Sequence, residues 1–135
     1  MTHPALALQR AILDALIAHQ PLISMLGGSR VYDHVPSRLR PPYIVFGDAT
    51  HSDWSTGTES GLEHFIQLNV WSREKGRKEA LDISGHVRTI VTDMQPDLGD
   101  NTLVNATHEF TETSRDEETG LYLASVNLRC VTEPN

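Results

Sequence analysis

The amino-acid sequence predicts an α+β domain: an antiparallel sheet of about four strands with two main helices packed on one face, in the order α-β-β-α-β-β. Two segments, one near the N-terminus and one after residue 77, place apolar side chains at helical spacing. Two others alternate apolar and polar residues with a period of two, the pattern of a sheet with one packed face and one wetter face. The chain has 135 residues, enough for one core and one domain spanning 1–135.

Taken in order, Pro4 opens a helix expected to reach about His19, with Ala5, Leu8, Ile12, Ala15 and Leu16 on one face. Leu6, Leu13 and Ile17 form a second apolar stripe, so this helix is expected to meet more than one partner. Pro21 suits the start of a further short helical turn, and Gly27-Gly28 suits its end. Val31-Tyr32 is a short extended piece and a candidate first strand. Pro41 and Pro42 cannot donate ladder hydrogen bonds, so a strand begins after them, at Tyr43, and runs to Phe46. The polar stretch Gly47 to Gly61 reads as a long hairpin connection. A strand follows in which Ile66, Leu68 and Val70 alternate with Gln67, Asn69 and Trp71. The second main helix, running to about Met94, uses Ala80, Ile83, Val87, Ile90, Val91 and Met94. Two closing strands, about 102–113 and about 121–131, are joined by the acidic turn SRDEETG.

The net charge is −7 with histidines neutral, which disfavours a dedicated binder of phosphate backbones, since such binding draws on clustered Lys and Arg. No apolar run nears the roughly 20 residues that a spanning helix needs, and the N-terminus lacks the basic lead of a secretory signal. The expectation is a soluble protein made in the cytoplasm, with no membrane partner. A single cysteine, Cys130, lies in an alternating strand and reads as a small core side chain.

No catalytic pattern is present, and no enzyme, cofactor or metal is expected. The seven histidines are dispersed without the His-Glu-x-x-His spacing of a zinc protease, and no Cys-x-x-Cys occurs. There is no Gly-x-Ser-x-Gly elbow and no glycine-rich phosphate loop. An enzyme would need a site assembled in space, for which His64 and His108 are the leading pair.

The remaining candidates are surfaces. Arg73, Lys75, Arg77 and Lys78 cluster between a strand and the second main helix. Their bland reading is a solvated corner. The sharper reading is an acidic partner, because cations at a helix start oppose the macrodipole. Asp116, Glu117 and Glu118 form a soluble hairpin tip or a negative edge facing a neighbouring subunit or a channel. Trp54 is either a loop anchor or an interface aromatic.

The run GGSRVYDHVPSRLRPPYIVFGD resembles the tail terminator or tail-completion proteins of long-tailed phages and phage-like particles. The resemblance is carried by Arg30 to Pro36 and Pro42 to Gly47, then by Val70, Trp71, Ser72, Arg73, Gly76 and Ala80, and by the closing hairpin, in order along nearly the whole chain. It implies a structural protein that assembles as a homo-hexameric ring on the tail tube protein and stops tube polymerisation. The ring would offer a docking surface to the head-side connector or stopper, and DNA would pass through it. The source would be a phage, a prophage or a gene transfer agent, with assembly in the cytoplasm before incorporation into the particle tail. Leu6, Leu13, Ile17, Trp54 and the basic corner are the candidate subunit or partner contacts, and Asp116 to Glu118 the candidate acidic lumen or edge. A ring requires a head-to-tail interface that closes. The alternative reading is a small non-catalytic binding or assembly-chaperone module acting as a monomer or dimer.

Overall fold

A computed structural model describes residues 2–135. Helix α1 spans Pro4–Ile17 and begins where His3 Nδ1 accepts the Ala5 N–H at 3.0 Å. It stops at Ile17, short of the expected His19, because Pro21 has no N–H for the Ile17 carbonyl and its ring would collide with it. The chain restarts as α2, Gln20–Leu26, a third helix that the sequence signals only as a turn. Gly27, at φ +79°, closes α2 in the left-handed conformation, with its N–H on the Ile23 carbonyl at 2.9 Å.

The strands are β1 (Val31–Tyr32), β2 (Tyr43–Asp53), β3 (Leu62–Ser72), β4 (Asn101–Arg115) and β5 (Tyr122–Pro134), and α3 (Lys78–Asp93) lies between β3 and β4. They form one sheet in the order β1-β2-β3-β5-β4. The four long strands are antiparallel to their neighbours, as expected, but β1 adds a fifth strand parallel to β2, so the sheet is mixed. The parallel pairing comes from the Pro-rich connection, which returns the chain to β1 from the same end. Arg30 holds it there, its guanidinium donating to the carbonyls of Pro42, at 2.9 Å from Nε, and of Arg40.

The expected loop from Gly47 to Gly61 is also corrected. Its first half, through Asp53, is strand paired with β3, and only residues 54–61 connect the hairpin. Thr50 to Asp53 are exposed, so no apolar alternation marks them, and the long partner strand imposes the extended form. Gly47 and Asp48 together face Gln67, a β-bulge, and β4 carries two more, at Val104 and Glu109. A Cβ on Gly47 would lie 2.5 Å from Gln67 Oε1, so this bulge has room for glycine only while Gln67 keeps its place.

All three helices cover one face. Leu8, Ile12 and Leu16 of α1, Leu22 and Leu26 of α2, and Ile83, Val87 and Val91 of α3 are buried against Ile44, Leu68, Val70, Val126 and Leu128. The other face carries Gln67, Asn69, Ser125 and Asn127, linked by side-chain bonds such as Ser125 Oγ to Asn69 Oδ1 at 2.7 Å. This one-sided burial is what the alternation in β3 and β5 predicts.

Candidate functional site

The basic corner is built by Ser72 and Glu79. Buried Ser72 donates through Oγ to Glu79 Oε1 at 2.9 Å and accepts the Glu74 N–H at 3.1 Å. The same carboxylate accepts the Arg73 N–H at 3.0 Å and lies 3.4 Å from Arg73 Nε. Gly76 turns the chain at φ +110°, and Ala80 is buried in the core cluster. The motif residues Ser72, Gly76 and Ala80 thus have local structural roles.

Most of the corner's charge is engaged within the chain. Lys78 Nζ lies 2.7 Å from Asp82, which pushes the lysine above its ordinary value. Arg77 donates to Thr113 Oγ1 at 3.2 Å and lies over the Tyr122 ring, 5.5 Å from its centroid. Among the described residues, Lys75 alone of the four has no recorded side-chain hydrogen bond or ion pair.

The acidic tip stands beside this corner, because Tyr122 pairs with Ser72 across the sheet. Asp116 is occupied by the turn itself, accepting from Thr119 Oγ1 at 2.8 Å and from the Glu118 N–H at 3.3 Å. Glu117 pairs loosely with Arg115 at 3.5 Å, and the Glu118 side chain is open to solvent. Two clusters read separately in the sequence therefore share one end of the molecule.

Trp54 lies at the opposite end. The Arg129 guanidinium sits 5.7 Å from its ring centroid, and Arg129 Nε meets Glu63 at 2.6 Å. Trp54 is therefore anchored over the sheet yet stays half-exposed. The second stripe of α1 divides: Leu13 and Ile17 pack partly against the core, while Leu6 remains 44% exposed.

The histidines form a pair other than the expected one. His64 lies level with Ala106, while His108 lies further along β4 with β5 intervening and bonds Thr111 at 2.7 Å. Buried His64 instead meets His51 Nδ1 at 2.7 Å and Thr132 Oγ1 at 2.8 Å. Among the described residues, no group of three or more His, Cys, Asp or Glu is arranged to hold a metal ion. Cys130 is buried core, and burial pushes its thiol up to about 11. No helix among the described residues is long and apolar enough to cross a membrane.

Sequence reasoning gave Arg30 no structural task and missed the Ser72–Glu79 lock and the His51–His64 contact. A register between β2 and β3 would have exposed the last, but His51 fell within the stretch read as loop.

This order of elements, with its corner, bulges and closing hairpin, can be set against known proteins. A family model described as tail completion protein gp17 matches residues 10–133. The chain belongs to that family. The tail completion protein gp17 of Bacillus phage SPP1 is 33% identical over 87 residues, which are 64% of this chain and 62% of that protein, so the match spans less than two thirds of the relative's length. A chain in the virion of a native gene transfer agent particle is similar with a TM-score of 0.88 at 25% identity, over 98% of this chain and 99% of that one. The structure of bacteriophage SPP1 gp17 has a TM-score of 0.61 at 22% identity, over 96% and 89% of the two chains, a likeness of fold. Tail-completion proteins are structural and not enzymes, so the resemblance read from the Arg30 to Gly47 motif and the Ser72 corner stands.

Proposed function

We propose that this protein is a structural component of a phage or gene-transfer-agent tail, where it caps the tail tube as a homo-hexameric ring. The ring stops tube polymerisation, presents the surface on which the head-side connector or stopper docks, and lets DNA pass through its centre. Assembly takes place in the cytoplasm before the ring becomes part of the particle. The observation that carries this reading is the likeness, over essentially the full length of both chains, to a chain of a gene transfer agent virion. Family membership over residues 10–133 supports it.

The site assignments follow from exposure. Lys75, with the outward parts of Arg73, Arg77 and Lys78, is the cationic contact for an acidic partner surface, and Glu118 with Glu117 is the adjoining acidic edge. Asp116 shapes that edge by holding the turn. Leu6 and the outer face of Trp54 are the apolar contacts, with the partly exposed sides of Leu13 and Ile17 further along α1. An acidic subunit suits a channel through which a polyanion must slide without sticking.

Negative-stain microscopy of particles made with and without the gene tests the proposal. Overlong or headless tails in its absence are expected. Tails of normal length joined to heads would overturn the termination reading.

A further inference from the structure

We infer that copies of this chain join edge to edge, the outer edge of β4 in one copy pairing with the uncovered edge of β2 in the next. The inference rests on the ring reading above and names the contact that reading leaves open.

Both outer edges of the antiparallel part of the sheet are long, and each has a stretch with no outer strand beside it. On β2, β1 covers Ile44 and Val45 alone, leaving Phe46 to Asp53 without an outer neighbour. On β4, residues 109–115 carry Glu109, Glu112 and Arg115, whereas Leu103 to His108 include no Lys, Arg, Asp, Glu or Pro. Charge and proline are the usual guards of a free edge, which otherwise recruits another strand.

The uncovered stretch of β2, which carries Asp48 and Asp53, is level with the uncharged stretch of β4. Tracing the register across β3 and β5, Asp53 lies level with Leu103, Ser52 with Asn105, Thr50 with Thr107, and Ala49 with His108. The covered residues Ile44 and Val45 lie level with Thr113 and Glu112, in the charged half of β4. The open half of one edge thus meets the open half of the other at the same height. Asp53 meets no carboxylate there, whereas Asp48, in the β2 bulge, lies level with the Glu109–Phe110 bulge of β4, so one carboxylate pair falls at the end of the contact.

Direction fits too. Three antiparallel steps separate β2 from β4, so the two edges run in opposite senses. A rotation about an axis along the strands brings β4 of one copy antiparallel to β2 of the next, and repeating it gives the head-to-tail contact that a closed ring requires. The side chains agree. On β4 the bulge turns out Val104, 46% exposed. Beside the free part of β2 lies a groove of about 260 Å³ in which Leu6, Phe46, Ala49 and Ile66 stand beside Asp33 and His51. Strand addition would supply the main-chain bonds, and Val104, level with Ser52 and Asp53, an apolar side chain at the contact.

Two double variants test the pairing, Ser52→Cys with Asn105→Cys and Thr50→Cys with Thr107→Cys, oxidised in purified particles and run without reductant. A ladder of cross-linked copies from the double variants and none from the single ones is expected. Absence of a ladder in particles whose tails end and join normally would overturn the edge pairing and leave the termination reading intact. A ladder, with tails indifferent to deletion of the gene, would keep the pairing and sink termination. Val104→Lys supplies a second arm: it places a guard charge on an exposed position, so the melting temperature should hold while joined particles fall on the order of tenfold or more. Unchanged particle yield at unchanged stability would count against the inference.

Discussion

At the inner end of the β2–β3 hairpin, both ring nitrogens of His64 are occupied, one by His51 and the other by Thr132, and no water reaches the ring. Burial, with His51 and His3 nearby, pushes His64 down from about 6.5 to about 4. In the unfolded chain the same ring takes up its proton near 6.5. Between those values the unfolded state binds more protons than the folded one, so stability falls as the pH drops from about 6.5 to about 4 and the loss then levels off. At roughly 1.4 kcal/mol per pK unit the full effect is about 3 kcal/mol. Urea midpoints at pH 7 and pH 4.5 should differ in that sense, and His64→Leu should flatten the difference. An equally steep dependence in the variant would place the acid sensitivity elsewhere. Glu79 is a second such residue, since one carboxylate serves Ser72 Oγ and the Arg73 N–H. Glu79→Ala leaves the buried Ser72 hydroxyl without that acceptor and should cost about 1–3 kcal/mol in chemical denaturation. Glu79→Gln, which keeps an acceptor oxygen, should cost less.

At the scale of elements, α1 offers an internal comparison. Ile12 is fully buried among the helices and sheet, while Leu6 on the same helix is nearly half-exposed. Ile12→Ala should therefore destabilise the isolated protein by about 2–5 kcal/mol, and Leu6→Ala by no more than roughly 0.5 kcal/mol. The reverse result would mean that the stripe containing Leu6 belongs to the core. This division also marks where the sequence was readable. Helix α3, β3 and β5 were legible because each buries one continuous face, so Ala80, Ile83 and Val87, or Leu68 and Val70, repeat at the period of their element. The second half of β2 was not, since Asp48, Thr50 and Ser52 are exposed and their extended form comes from β3. Nor was the parallel strand β1, whose two residues are too few to show a period. The site followed the same rule. The basic corner and acidic tip were visible as charge runs, but their adjacency depends on Ser72 pairing with Tyr122, fifty residues away in sequence.

Across the whole molecule, charge is distributed along the strand axis. The end holding the β2–β3 connection and the start of β4 carries Asp53, Glu59, Glu63, Asp97, Asp100 and Glu133 against Arg129. The other end mixes Arg73, Lys75, Arg77, Lys78 and Arg115 with Glu74, Glu79 and Asp116 to Glu118. Copies related by a ring axis along the strands all point the same way, so their acidic ends come side by side and repel. Each brings a net charge of −7 to the assembly. The contact inferred between β2 and β4 consists of main-chain hydrogen bonds and apolar side chains, which salt weakens little. Added salt should therefore favour self-association, because the screening length falls from about 30 Å at 0.01 M to about 8 Å at 0.15 M. Sedimentation velocity of the purified protein in about 20 mM and about 300 mM sodium chloride reads this directly, with the heavier species expected to gain at high salt. A loss of that species as salt rises would mean that copies are held by ion pairs. The Arg73–Lys78 corner of one copy and the Glu117–Glu118 edge of the next would then be the principal contact, with the strand edges secondary.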